Sequence, residues 1–161
     1  MNELLHASGG AISRWLEAKL PALGSSWWVD NVVNRLTFQQ QRLVEDKQIQ
    51  MLSGLDLAAV LRVLDQNWSE LAGAERLPRE ARNWVKELQG VRNRWAHAPA
   101  GGLSHTDAFR DADTLDRLLR VVGADDNVLL DRVDAFKKAR LADMAPQSVA
   151  QPDPRMGTSS A

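Results

Sequence analysis

The chain has 161 residues, 44% of them apolar, which is enough for one hydrophobic core and short for two ordinary domains. The formal net charge of −1 excludes a strongly basic protein that attracts nucleic acid over its whole surface, so any such contact needs a local patch. The absence of cysteine excludes disulfides, thiolate zinc sites and cysteine nucleophiles.

Helical patterns begin at the amino terminus. Apolar residues recur at helical spacing over 2–20, although two consecutive glycines weaken the middle of the segment and Pro21 ends it. Ser25 and Ser26 offer N-caps to a second, short helix over 27–38. The three glutamines that follow give no clear boundary.

Two clearer helices are predicted at 55–71 and 79–96. Each carries one apolar stripe with spacings of three and four residues, and Pro78 suits the entry to the second helix. The stripes consist of Leu57, Val60, Leu61, Leu64, Trp68 and Leu71 in the first helix, and of Ala81, Trp84, Val85, Leu88, Val91 and Trp95 in the second. Because each stripe needs an apolar partner, we expect the two helices to pack as an antiparallel pair.

The last third of the chain predicts two more helices and a tail. Ser104 is a cap for a helix that ends at Gly123, and a final helix spans about 126–141. Residues 143–161 contain many Pro, Ser and Gly, which favours a disordered tail or a linker of the kind that leads into a further domain. The pattern predicts an all-α fold of five to six helices, in one domain over 1–142.

Nothing in the sequence predicts a membrane segment. The apolar runs stop well short of the roughly 20 residues that a membrane helix needs, and the first residues lack the basic start of a signal peptide. We therefore expect a soluble, cytoplasmic protein with no membrane partner.

Of the three histidines, only His97 has an arginine and an amide close by in the sequence. Asn93 precedes it by one helical turn, and Lys86 and Gly90 lie on the same polar strip of the helix. Gly90 either lets another backbone approach closely or is a tolerated surface glycine. Arg92 lies at the edge of the apolar stripe, where an unpaired guanidinium is costly, so it either reaches an acid or points into a groove.

These residues belong to a hexapeptide at the end of a helix, Arg92-Asn93-Arg94-Trp95-Ala96-His97. An arginine, a polar residue, three further residues and a histidine in this order resemble the signature of the HEPN superfamily. Three segments are similar to the Swt-type HEPN subfamily, namely LAAVLRVLDQNW (57–68), VRNRWAH (91–97) and DADTLDRLLRVV (111–122). The resemblance is good over 50–124 and loose over the amino-terminal helices.

The resemblance implies a HEPN-type helical bundle that pairs with a second copy through the motif helix and forms one composite cleft across a twofold axis. It also implies RNA cleavage without a metal or cofactor, with the RNA 2′-hydroxyl as nucleophile. The implied catalytic residues are Arg92, Asn93 and His97, and Lys86 and Arg94 are candidate contacts to the RNA backbone. Domains of this type often lie ahead of helicase or ATPase modules, so we expect a fused or associated partner of that kind.

Each motif residue has a chemical role in this hypothesis. His97 is a candidate general base or acid, because imidazole exchanges protons near neutral pH, and the sequence leaves open which. Arg92 can stabilise the negative charge of the transition state, and Asn93 can fix the imidazole tautomer or hold a phosphate oxygen. On a helical wheel Arg92 lies about 140° from His97. The cleft therefore requires an extended Arg92, an unwound last turn, or the arginine of the second copy.

Other functions remain open at this stage. The ribonuclease hypothesis fits RNA surveillance or defence against phage and plasmids. One alternative is a non-catalytic HEPN module for dimerisation or for sensing RNA or nucleotides, and a weaker one is the toxin half of a toxin–antitoxin pair. His97 itself has a structural alternative, in which it simply caps a helix C-terminus.

Three further features have structural interpretations. Asp111, Asp113 and Asp116 alternate with arginines on one helix, which favours surface ion pairs over a metal site. His105 starts a helix and is expected to act in local capping. The adjacent Trp27 and Trp28 cannot place both rings on one helix face, so we expect one of them to contact a partner.

Overall fold

The computed structural model describes residues 1–123 and 125–146, and over these residues the chain forms seven α-helices and no β-strand. The helices are α1 (Asn2–Lys19), α2 (Phe38–Asp46), α3 (Leu57–Gln66), α4 (Trp68–Glu75), α5 (Ala81–Ala96), α6 (His105–Val122) and α7 (Asn127–Met144). The prediction of an all-α fold is confirmed. The predicted tail begins within α7, and its residues from 147 onwards lie outside the described residues.

The helix predicted over 55–71 is divided into α3 and α4 at Asn67. The Asn67 side chain is buried and donates hydrogen bonds to the Val63 and Asn31 carbonyls, each at 2.7 Å. The side-chain oxygen of Asn67 accepts a hydrogen bond from the side-chain amide of Asn31 at 3.0 Å. A buried amide must be satisfied in this way, and here it is satisfied by tying the α3–α4 corner to the segment before α2. This corner is one reason why more helices are found than the five to six predicted.

The segment over 27–38 is less regular than the sequence predicts. A single π turn (Trp28–Val32) and a 3-10 turn (Val33–Arg35) replace the expected helix, and the chain is extended at Leu36. Thr37 then starts α2 in a reciprocal capping box with Gln40.

The two adjacent tryptophans lie in this irregular segment. Trp27 and Trp28 meet edge to face, with ring centroids 5.9 Å apart and planes at 86°, and both pack against the core of their own chain. The pair therefore anchors the π turn, and the packing gives no support to the predicted partner contact.

The motif helix α5 packs one face against the core. Its stripe of Ala81, Val85, Leu88 and Val91 is almost completely buried, and α3 and α6 pack against it. Near one end of the α3–α5 pair, Arg82 lies 3.2 Å from Asp65, and near the other end Arg92 lies 3.5 Å from Asp56. The order of these ion pairs shows that α3 and α5 are antiparallel, as predicted.

Helices α1 and α7 pack on the other sides of α3 and α6. Helix α1 packs across α3 and α6, and it continues through Gly9, which is buried beside Leu57 at the start of α3. Helix α7 packs along α6 on the side away from the α3–α5 pair. Among the described residues, no helix combines the length and the apolar character needed to cross a bilayer.

Candidate functional site

The motif forms the last turn of α5. The helix ends at Ala96, and His97 is its C-cap, with its backbone N–H donating to the Asn93 carbonyl at 3.3 Å. The side chains of Asn93 and His97 are both exposed. The polar strip predicted from the helical wheel is therefore accessible at the end that carries the amide and the imidazole.

Arg92 reaches both an amide and an acid. Its Nη1 donates to Asn93 Oδ1 at 3.3 Å, and its Nη2 lies 3.5 Å from Asp56 Oδ2 at the start of α3. Of the two predicted alternatives, an acid or a groove, the structure thus shows the acid. Among the described residues, no side chain forms a hydrogen bond with the His97 imidazole, so one subunit brings together Arg92 and Asn93 but does not join them to His97.

Asp56 is the residue at this site that the sequence did not reveal. One of its oxygens caps α3 by accepting a hydrogen bond from the Ala59 N–H at 2.9 Å, and the other faces Arg92. An aspartate before an apolar helix is recognisable as an N-cap, but its pairing with a distant arginine depends on how α3 and α5 pack. Because a carboxylate and a phosphate compete for the same guanidinium, Asp56 opposes anion binding by Arg92.

A cleft of about 310 Å³ lies beside Asp56, between α1 and the start of α3. His6, Ser13 and Ser53 are among the residues that line it. His6 was not a candidate in the sequence, since it lacks the combination of a nearby arginine and amide that accompanies His97. The fold nevertheless places this exposed histidine on the same cleft as the acid that holds Arg92.

If Arg92 binds an RNA phosphate, as the resemblance implies, replacing Asp56 with asparagine is expected to tighten RNA binding about two- to fivefold, the worth of a partly exposed ion pair of up to about 1 kcal/mol. Asparagine keeps the N-cap acceptor for Ala59, so α3 remains capped while the charge is removed. The measurement is fluorescence anisotropy with a short RNA made uncleavable by 2′-deoxy substitution.

The matched control is Asp134→Asn, which removes the same charge from α7, where Asp134 pairs with Lys138 on its own helix. We expect this control to bind as the wild type does. Equal affinities for wild type and Asp56→Asn would show that Asp56 does not compete for the RNA.

The two predicted RNA-backbone contacts are both ion-paired within the subunit. Lys86 Nζ lies 3.6 Å from Asp65 Oδ1, and Arg94 Nη2 lies 2.8 Å from Asp111 Oδ1. Gly90 lies between them on the strip, and only the end of the flexible Arg94 side chain approaches the position that a Cβ would take. A partner can therefore approach the helix at Gly90, but Lys86 and Arg94 are each paired with an aspartate of their own chain.

The three aspartates for which ion pairs were predicted, Asp111, Asp113 and Asp116, form them, although Asp111 and Asp116 are buried rather than on the surface. Lys137 of α7 lies 2.8 Å from Asp113 and 3.3 Å from Asp116. Within the described part of the chain, no group of three or more His, Cys, Asp or Glu residues is arranged to hold a metal ion.

Lys137 and Arg117 also lower the pKa of Asp113. Burial raises the pKa of the Asp113 carboxyl, but the hydrogen bonds and charges of Lys137 and Arg117 outweigh burial, so this pKa lies below its ordinary value. A lowered carboxyl pKa stabilises the fold at neutral pH, and the contribution is lost when acid protonates Asp113. The network therefore has a structural role, which is to hold α7 on α6.

His105 also contacts α7. Its Nδ1 lies 3.3 Å from Arg140 Nη1 and 3.6 Å from Asp143, both on α7. The cap of α6 is provided by Ser104, which accepts a hydrogen bond from the Asp107 N–H. His105 therefore joins two helices rather than capping its own, and it has no contact with the motif.

An all-helical bundle that presents an arginine, an amide and an imidazole at the end of one helix has the organisation of a HEPN domain. The family model described as Swt1-like HEPN matches residues 4–123, from the first turn of α1 to the end of α6. The chain therefore belongs to the Swt1-like HEPN family, and the predicted resemblance is confirmed and extends over the amino-terminal helices. Neither the curated proteins nor the solved structures gave a match to this chain.

Proposed function

We propose that this chain is a metal-independent endoribonuclease whose active site forms when two copies pair through α5. The observation that carries the proposal is the exposed last turn of that helix, where Asn93 and His97 share one face and Arg92 binds the Asn93 amide. Membership of the HEPN family supports it, because this turn is the family's signature.

The proposed reaction is a transesterification within the RNA. The 2′-hydroxyl loses its proton and attacks the adjacent phosphorus, the P–O5′ bond breaks, and the 5′-oxygen takes up a proton as it leaves. The products are a 2′,3′-cyclic phosphate and a 5′-hydroxyl. Because the nucleophile belongs to the RNA, the protein has to move two protons and stabilise charge on the phosphate.

His97 is the proton-transfer group of this scheme, as base or as acid. Arg92 holds the non-bridging phosphate oxygens after it exchanges Asp56 for the RNA, since guanidinium can bind two oxygens at once. Asn93 then either orients the imidazole or holds a phosphate oxygen.

Pairing of two copies supplies what one subunit lacks. A single motif offers one imidazole, whereas the reaction requires removal of one proton and delivery of another, so a twofold axis near His97 provides the second group. The absence of a side chain at Gly90 favours close approach of the two α5 helices, with the Arg94 guanidinium beside the contact. Lys86 and Arg94 would contact RNA phosphates only by sharing or releasing their aspartates.

The test is cleavage of a mixed RNA pool in EDTA with analysis of the product ends. We expect 2′,3′-cyclic phosphate ends from the wild type and no cleavage by the double variant Arg92→Ala/His97→Ala, which also controls for contaminating nucleases. A strand of the same sequence with 2′-deoxyribose in place of ribose lacks the nucleophile and should stay intact. If the wild type leaves a 3′-hydroxyl, or if the double variant cleaves equally, the proposal is wrong.

Mixing the two single variants decides between the arrangements of Arg92 that the sequence left open. If each site combines Arg92 of one copy with His97 of the other, a dimer of Arg92→Ala with His97→Ala keeps one such pair but only one imidazole, and part of the activity returns. If both residues come from the same copy, the mixture stays inactive. Equilibrium of the mixed dimer is followed by native mass spectrometry.

The non-catalytic alternative has one observation in its favour, namely that Arg92 is held by Asp56 in the isolated subunit. In that case RNA binds without being cleaved, and the assay in EDTA gives binding but no product. A helicase or ATPase partner, a role in defence and a cytoplasmic location remain predictions.

A further inference from the structure

Asp111 joins the motif to the neighbouring helix α6. This carboxylate is only 3% exposed, and each of its oxygens accepts a hydrogen bond from a different motif residue. Arg94 Nη2 donates to Oδ1 at 2.8 Å, and Trp95 Nε1 donates to Oδ2 at 2.9 Å. The two donors lie directly between Asn93 and His97 in the chain.

A buried carboxylate needs partners for both oxygens, because an unsatisfied charge away from water is costly. Here the two partners are consecutive residues of one helical turn, and their side chains leave the helix in different directions. The pair of bonds therefore fixes the rotation of the last turn of α5 about its axis. The loop after the motif also packs here, with Gly102 at φ +75° next to the Trp95 ring.

The surroundings of Arg94 argue against a contact with RNA. Arg94 faces a cleft of about 320 Å³ that is also lined by Glu87, Asp107 and Asp111. With Arg110 as the only other cation among the lining residues, the cleft carries more negative than positive groups, which repels a phosphate. Arg94 is thus directed towards α6, where Asp111 holds its guanidinium.

We infer that Asp111 is a positioning residue, which holds the last turn of α5 through Arg94 and Trp95 and so fixes the direction in which His97 projects. The inference rests on the proposed function for its kinetic consequence, but the positioning itself does not depend on RNA cleavage. Arg94 accordingly links α5 to α6 through its bond to Asp111.

If Asp111 had a purely structural role, its loss would lower the Tm and leave the motif unchanged. Another aspartate of α6 serves as the matched control. Asp116 is also buried, at 8% exposure, and also ion-paired, but its partners are Arg120 and Lys137, and it has no bond to the motif. Loss of either carboxylate is expected to lower Tm. Only loss of Asp111 is expected to change the motif itself.

The kinetic test compares Asp111→Asn, Trp95→Phe and Asp116→Asn well below the lowest Tm, where all are folded. We expect Asp111→Asn to lower kcat about 10- to 100-fold with little change in KM, as misplacement of a catalytic group does. Trp95→Phe keeps the ring and removes one donor, so its kcat lies between those of Asp111→Asn and the wild type. Asp116→Asn keeps the wild-type kcat.

The second readout is the NMR spectrum of the three histidine side chains, which needs no substrate. In Asp111→Asn the His97 imidazole signals should shift and broaden while those of His6 stay in place, and Asp116→Asn should leave His97 unchanged. If the His97 signals of Asp111→Asn match the wild type, the inference is wrong, whatever the ribonuclease assay shows. If His97 moves but no variant cleaves RNA, the inference stands and the proposed function fails.

Discussion

His97→Ala is expected to lower kcat for RNA cleavage by about 10²–10⁴-fold, the usual contribution of a proton-transfer group. The imidazole is exposed and bonded to no side chain among the described residues, so the variant should fold as the wild type does. Its cost to stability should stay below about 1 kcal/mol, the worth of a cation at a helix C-terminus. The effect is measured by single-turnover kinetics across the neutral pH range. The residual rate of the variant should no longer vary with the protonation of an imidazole.

The control for this variant is His105→Ala. His105 is also an exposed histidine at a helix end, but its contacts are with Arg140 and Asp143 of α7. We expect this variant to keep the wild-type rate. Equal rates for His97→Ala and the wild type would remove the imidazole from the mechanism.

Arg92→Ala is expected to lower kcat/KM by about 10²–10³-fold, which is comparable with the loss of one hydrogen-bond donor to the charge that develops in the transition state. Arg92→Lys should recover only part of the activity, since an ammonium keeps the charge but cannot hold two phosphate oxygens in one plane. Stability should change little, because the pair with Asp56 is loose at 3.5 Å and its side chains are 37% and 57% exposed. Steady-state kinetics at several salt concentrations measure the effect.

A matched control exists on the same helix. Arg82 also pairs with an α3 carboxylate, at 3.2 Å from Asp65, but it lies at the opposite end of α5 from His97. Arg82→Ala should therefore remove a similar ion pair and leave the rate unchanged. A similar loss of activity in both variants would mean that the α3–α5 ion pairs, and not the guanidinium at the motif, carry the effect.

The parts of the fold that were predictable are those that follow from periodicity within one helix. The stripe of α5 and the exposed strip with Asn93 and His97 depend only on 3.6-residue geometry, and both agree with the structure. The corner at Asn67 was not predictable in this way. It depends on a bond to Asn31, which the chain can make only after the segments have packed.

The same distinction applies to the site. The sequence indicated the motif and left open whether Arg92 reaches an acid or points into a groove, but it could not identify Asp56, which approaches Arg92 through tertiary packing alone. Likewise Asp111 was recognised as an ion-pairing residue, while its two bonds to the motif depend on the α5–α6 contact. Sequence patterns therefore predict the candidate site residues, and the packing of helices determines what holds them.

The burial of one face of α5 also limits how the proposed site can adapt to a substrate. Val85 and Leu88 are fully buried on the helix that ends at His97, so a tilt or slide of this helix would open gaps against α3 and α6. If two copies pair through α5 as proposed, differences in RNA shape would be accommodated by the long side chain of Arg92 or by a change in the angle between the two copies. Such an enzyme would select its substrates by the spacing between the two copies more than by flexibility of α5.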